Sequence, residues 1–105
     1  MKILFDQGTP APLRQSFVEH IVATVHELGW SDLANGLLLD AAENAGYQLL
    51  ITTDQNLRYQ QNFTHRRIAI LVLMSTSWPR IRLRLDAIQT AVDAIAAGDY
   101  RELPI

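Results

Sequence analysis

Short, solidly apolar runs recur along the chain at residues 3–5, 21–25, 49–53 and 68–73. Each is built from large aliphatic or β-branched residues and is bounded by polar or turn-forming residues, so each is predicted to be a strand, with 68–73 the most hydrophobic and central. Between them the spacing changes to that of helices. Pro12 can open a short helix over 12–19 with Leu13 and Phe17 on one face. Residues 29–32 read as a loop. A second helix spans 36–45, with Leu38, Ala41, Ala42 and Ala45 inward, Asn35 as its N-cap and Gly46 at its C′ position. A short helical stretch over 55–61 leads into a loop at 62–65. Ser77 and Pro79 open the longest helix, whose apolar positions Ile81, Leu85, Ile88, Val92 and Ile95 recur every three or four residues until Gly98. Its start is the ambiguous part, because residues 82–85 also alternate as a strand would. Residues 100–105 form a tail or a short edge strand.

Strands that alternate with helices, and that are apolar on both sides, call for a mainly parallel sheet covered on both faces. The expected fold class is therefore α/β, with four or five strands flanked by helices. The 105 residues suffice for one domain over 1–105 and are too few for two. The chain is 49% apolar and 19% charged, which supports a real core. Cysteine is absent, which removes disulfides, thiolate zinc sites and thiol nucleophiles. The first residues turn acidic at Asp6 and do not read as a signal peptide, and no apolar run approaches the roughly 20 residues of a membrane span. A cytoplasmic protein with no membrane partner is expected.

Net charge is −2, but it is unevenly spread: residues 1–54 carry two cations against seven acids, a balance of −5, and residues 55–105 carry seven arginines against four acids, a balance of +3. A metal centre beside a phosphate-binding surface would suit that division; ordinary surface charge explains it equally well.

Two predicted strands end directly in an aspartate, at Phe5-Asp6 and Thr53-Asp54. In parallel α/β sheets, sites form beyond the carboxyl ends of the strands, so neighbouring strands would bring the two carboxylates into one crevice. Paired carboxylates repel and raise one pKa unless a cation lies between them. Mg2+ or Mn2+ prefers such oxygen ligands, and a bound ion can activate water and neutralise charge on a phosphoryl group. Each aspartate also has a structural reading: Asp54 as cap of the stretch at Gln55, Asp6 as organiser of the turn at Gly8 and Pro10. The pair at equivalent strand ends favours a site.

The opening Ile3-Leu4-Phe5-Asp6-Gln7-Gly8-Thr9-Pro10, the segment Leu50-Ile51-Thr52-Thr53-Asp54-Gln55-Asn56-Leu57 and the hydrophobic strand after it resemble the short PIN-like proteins once catalogued as a domain of unknown function. The resemblance covers nearly the whole chain in order and spacing. It implies a PIN-like fold and a ribonuclease in which three or four acids hold magnesium or manganese, often as the toxin of a toxin–antitoxin pair. Asp6 matches the acid after the first strand, and Asp54 the last acid, in a Thr-x-Asp segment with Asn56 just beyond. The family's intermediate acid falls on Asn35, which can offer a carbonyl oxygen but no charge; a further central acid has no match. Asp32, Asp40 or Glu43 could compensate, although Asp40 and Glu43 are expected on the solvated side of their helix.

Among neighbouring residues, Gln7 and Asn56 are candidate substrate contacts and Arg58 is the leading single phosphate contact. Thr53, Ser75 and Thr76 lie near strand ends, with capping and turn roles favoured. Arg66 and Arg67, and Arg80, Arg82 and Arg84, could grip a phosphate backbone, form a solvated basic face or meet an acidic protein. His20, His26 and His65 lack zinc spacing, and Trp30, Tyr59 and Trp78 are assigned to packing before base stacking. The leading expectation is an endoribonuclease acting on RNA, held silent by an antitoxin protein, with a homodimer as a further expectation. The alternative is a PIN-like binding module whose metal site has decayed. A receiver-like signalling domain would need a second acid after the first strand and a late lysine; Lys2 is the only lysine.

Overall fold

The computed structural model describes residues 1–57 and 65–105. The expected helical stretch over 55–61 and loop at 62–65 lie largely outside the described residues, as do Arg58 and Tyr59. The element order is β1 (Lys2–Phe5), a 3-10 helix (Ala11–Ser16), β2 (Ile21–Thr24), α1 (Asn35–Asn44), β3 (Leu49–Thr52), β4 (Ala69–Leu73), α2 (Trp78–Ile81), a second 3-10 turn (Arg82–Arg84), α3 (Leu85–Ala94) and β5 (Tyr100–Leu103). The strands form one sheet in the order β2-β1-β3-β4-β5, every neighbouring pair parallel. This is the expected α/β class with five strands; residues 100–103 form the edge strand.

Strand periodicity of two divides the apolar residues between two cores. Ile3, Phe5, Leu49, Ile51, Ala69, Leu71 and Leu73 face one side, where Leu13 and Phe17 and the α2–α3 residues Ile81, Ile88, Ala91 and Val92 cover them. Leu4, Leu50, Ile70 and Val72 face the other, under Leu38, Leu39 and Ala42 of α1, with Val25, Tyr47 and Leu57. β3 and β4 are buried along their whole length, which explains why they read as continuous apolar runs.

Local sequence accounts for most element boundaries. Gly46 adopts φ +85°. Its N–H donates to the Glu43 carbonyl (3.1 Å) while the Tyr47 N–H donates to the Ala42 carbonyl (2.9 Å), the paired bonds of a Schellman cap. At the other end of α1, Ala34 is the cap residue and Asn35 is the first helical residue, which corrects the N-cap assignment of Asn35. The segment expected as a helix over 12–19 is a 3-10 helix, with Leu13 N–H to Pro10 O and Phe17 N–H to Arg14 O bonds three residues apart. The long C-terminal helix is broken: Arg84, at φ −120° and ψ 24°, leaves helical geometry, so that the chain can turn from a short α2 at the sheet's rim onto α3 across its face. Among the described residues, no helix is long and apolar enough to cross a membrane.

Candidate metal centre at the carboxyl edge of the sheet

The chain leaves β1 outward to β2 and returns across it to β3, so strand order reverses between β1 and β3. In open parallel sheets the crevice outside the carboxyl ends at such a reversal is the favoured ligand position. Asp6 follows β1 and Asp54 lies two residues beyond β3, so both belong to this crevice. The register pairs Phe5 with Ile51, which sets Asp6 level with Thr52, and the Asp6 N–H continues the ladder to the Ile51 carbonyl at 3.0 Å.

Thr52 joins the two aspartates. It is the one polar residue among the described residues that is fully buried. Its hydroxyl donates to Asp6 Oδ2 at 2.9 Å and accepts the Asp54 N–H at 3.1 Å. Asp6 Oδ1 accepts the Gln7 N–H (2.9 Å), and Asp54 Oδ1 accepts the Asn56 N–H (3.0 Å). The two turns also touch: Gly8 has φ +82°, and a Cβ there would stand 2.8 Å from Thr53 Oγ1. Burial pushes the Asp6 carboxyl above the ordinary aspartate range. The hydrogen bonds from Thr52 and Gln7 draw it back in part, and the Asp54 charge raises it further. A cation between the two would relieve both the burial cost and the repulsion.

The aspartates fill their structural roles as well. Asp54 caps the turn at Asn56, and the Asp6 carbonyl accepts the Thr9 N–H in the turn at Gly8. Gln7 and Asn56 are exposed at the mouth of the crevice. Asn35 opens α1, which enters from the loop after β2 and therefore starts at this same edge; the residue is already engaged in an interaction. Arg58 lies outside the described residues.

Other candidates are drawn elsewhere. Arg66 binds Asp40 at 2.5 Å and Glu43 at 2.8 Å, and Glu43 also accepts the Arg67 N–H at 2.7 Å. These groups tie the end of α1 to the entry of β4, toward the amino-terminal edge, so Asp40 and Glu43 do not complete the aspartate pair. Burial works most strongly against ionisation of Glu43, yet the Arg66 bond and the N–H groups of Arg67 and Ile68 together hold its pKa below the usual value. Asp32 is exposed in the loop before α1, and no cluster of three acidic or histidine side chains occurs among the described residues. Trp30 packs edge-on against Tyr47 at 6.2 Å and Trp78 lies against the first core, as expected for packing roles. Ser75 accepts the Ser77 N–H, a turn role.

Sequence reasoning singled out Thr53 and passed over Thr52. The signal that finds Thr52 is strand register: it is the residue level with Asp6 once β1 and β3 are neighbours.

The donor set fits a hydrated hard cation. Mg2+ commonly takes one or two carboxylates and completes its shell with water and phosphate oxygens, and Asp6 and Asp54 offer such a pair. No protein-family model, curated protein or solved structure matches this chain.

Proposed function

We propose that this chain is a PIN-like, metal-dependent endoribonuclease, with Asp6 and Asp54 as the protein ligands of Mg2+ or Mn2+ and Asn35 as a neutral third donor from the start of α1. One observation carries the reading: the Thr52 hydroxyl bonds both to the Asp6 carboxylate and to the Asp54 backbone, so two acids 48 positions apart in sequence share one rim at the strand-order reversal. A bound ion would supply activation of water and neutralisation of phosphoryl charge. The chain's own part is to hold the Asp6 carboxylate through Thr52 and Gln7, to hold Asp54 through Asn56, and to present Gln7 and Asn56 to an RNA backbone. Toxin activity, silenced by an antitoxin protein, follows from the same resemblance, as does pairing of two copies. The fold alone would not select this activity, because doubly wound sheets host many chemistries.

The test is RNA cleavage in Mn2+ by wild type, Asp6→Asn and Asp54→Asn. Both variants should lose cleavage and growth toxicity while keeping the far-UV spectrum and cooperative unfolding of the wild type; undiminished activity in both refutes the assignment.

A second reading, a binding module without catalysis, is favoured by one observation: Asn35 stands where an acid is expected, and no third carboxylate joins the pair among the described residues. Isothermal titration separates the two, since a decayed site takes up no Mn2+ at millimolar concentration. On the nuclease reading Asn35→Asp tightens Mn2+ binding, because a third negative donor strengthens attraction to a divalent ion; unchanged affinity places residue 35 outside the site.

A further inference from the structure

The arginines fall into two groups once the chain is folded. Arg14 is paired with Glu27, Arg66 with Asp40 and Glu43, and Arg67 lies 3.8 Å from Glu43 near the amino-terminal edge. Arg101, exposed on edge strand β5, is in no ion pair with a described residue either, but stands alone; Arg80, Arg82 and Arg84 are clustered. All three are exposed, and none is in an ion pair with a described residue. They sit on α2 and the 3-10 turn that follow β4 after a four-residue loop, which places the turn toward the carboxyl edge of the sheet. β4 neighbours β3 and is two strands from β1; at about 4.8 Å per strand its end stands about 10 Å from that of β1. The break in the helix also sets Leu83, 78% exposed, between Arg82 and Arg84.

We propose that the turn formed by Arg80, Arg82, Leu83 and Arg84 is the docking rail for single-stranded RNA entering the Asp6–Asp54 crevice. This rests on the nuclease reading and adds to it the nucleic-acid-binding surface and the strandedness of the substrate. Charge complementarity names the occupant. The aspartate pair repels phosphate by itself, and unpaired guanidinium groups toward the same edge supply the attraction, each able to contact phosphate oxygens in a two-pronged manner. The exposed guanidinium planes can stack on unpaired bases, which a duplex does not offer at its backbone surface.

The experiment measures binding of a fluorescein-labelled twelve-nucleotide oligouridylate by anisotropy, in EDTA so that neither cutting nor metal contributes. The doubly reversed Arg82→Glu/Arg84→Glu chain is compared with wild type and with Arg67→Ala toward the other edge. Three phosphate contacts on a single strand give a slope of log affinity against log salt of about −2, and loss of two leaves about −0.7. The double variant should bind roughly tenfold or more weakly at low salt, Arg67→Ala should match wild type, and an RNA duplex of the same length should bind more weakly than the single strand. An unchanged affinity and slope in the double variant overturns the proposal, as does equal loss in Arg67→Ala or a preference for the duplex. If the double variant keeps RNA affinity but no longer binds an acidic polyglutamate, the turn is a protein-docking surface and the RNA proposal fails. Wild type that binds RNA through these arginines yet never cleaves it in Mn2+ overturns the nuclease reading and leaves the docking surface standing.

Discussion

Replacing Thr52 by valine tests the geometry of the aspartate pair directly. Valine keeps the shape of threonine and removes the hydroxyl, at a position with no solvent exposure where water cannot substitute for it. Two hydrogen bonds disappear together: the one donated to Asp6 Oδ2 at 2.9 Å and the one accepted from the Asp54 N–H at 3.1 Å. A bond to a charged acceptor contributes about 1.5–3 kcal/mol, and a buried N–H left without an acceptor costs about 1–3 kcal/mol. The added methyl returns about 0.8 kcal/mol of apolar burial. The net loss should fall at about 2–4 kcal/mol, read as a lower urea midpoint at pH 7 with the slope unchanged. The same change removes a contact that lowers the Asp6 pKa, so Asp6, already raised by burial, rises further. Divalent binding needs the ionised carboxylate. On the proposed metal-site reading, Mn2+ affinity in the wild type should fall as pH drops through the raised Asp6 value, and in Thr52→Val that fall should come at higher pH. Thr52→Ser restores the hydroxyl and should restore the pH midpoint, while losing the methyl's packing. Valine and serine variants with the same pH midpoint as wild type would refute the positioning role, and a stability loss under about 0.5 kcal/mol in valine would refute the bond accounting.

Glu43→Gln should destabilise the fold by about 1–3 kcal/mol at neutral pH, because it removes the charge facing Arg66, whose side chain is 17% exposed, and leaves one oxygen where two now accept from Arg66 and from the Arg67 and Ile68 N–H groups. The lowered Glu43 pKa means that this contribution is present above the unfolded carboxylate value and is lost as pH falls through the folded one; urea midpoints of wild type and variant should therefore converge in acid. Gly8→Ala should cost about 1–3 kcal/mol, since residue 8 holds φ +82° and its new Cβ would meet Thr53 Oγ1 at 2.8 Å; thermal unfolding within a degree of wild type would show that the two turns do not pack as described.

Strand positions were legible because burial on both faces leaves a direct mark on sequence. β3 and β4 are apolar at every position but Thr52, and the alternation within them already sorts Leu49 and Ile51 from Leu50. The Schellman cap at Gly46 and the two strand-end aspartates were legible for similar local reasons. The first helix was less so: Leu13 and Phe17 have α-helical spacing, but the segment closes with bonds three residues apart. The C-terminal helix had continuous periodicity from Ile81 to Ile95, and nothing in that pattern records the change of direction at Arg84.

Sequence by itself determined the α/β class, the apolar strands and the placing of Asp6 and Asp54 at strand ends, because each depends on contacts between near neighbours and on one residue's preference for inside or outside. Tertiary structure alone decided that β1 and β3 are adjacent, that Thr52 lies level with Asp6, that Asp40 and Glu43 serve Arg66, and that Arg80, Arg82 and Arg84 stay unpaired among the described residues. Those are pairings across 20 to 50 residues of chain. They follow from which faces pack and in what register, and a local pattern of apolar and polar positions names no partner.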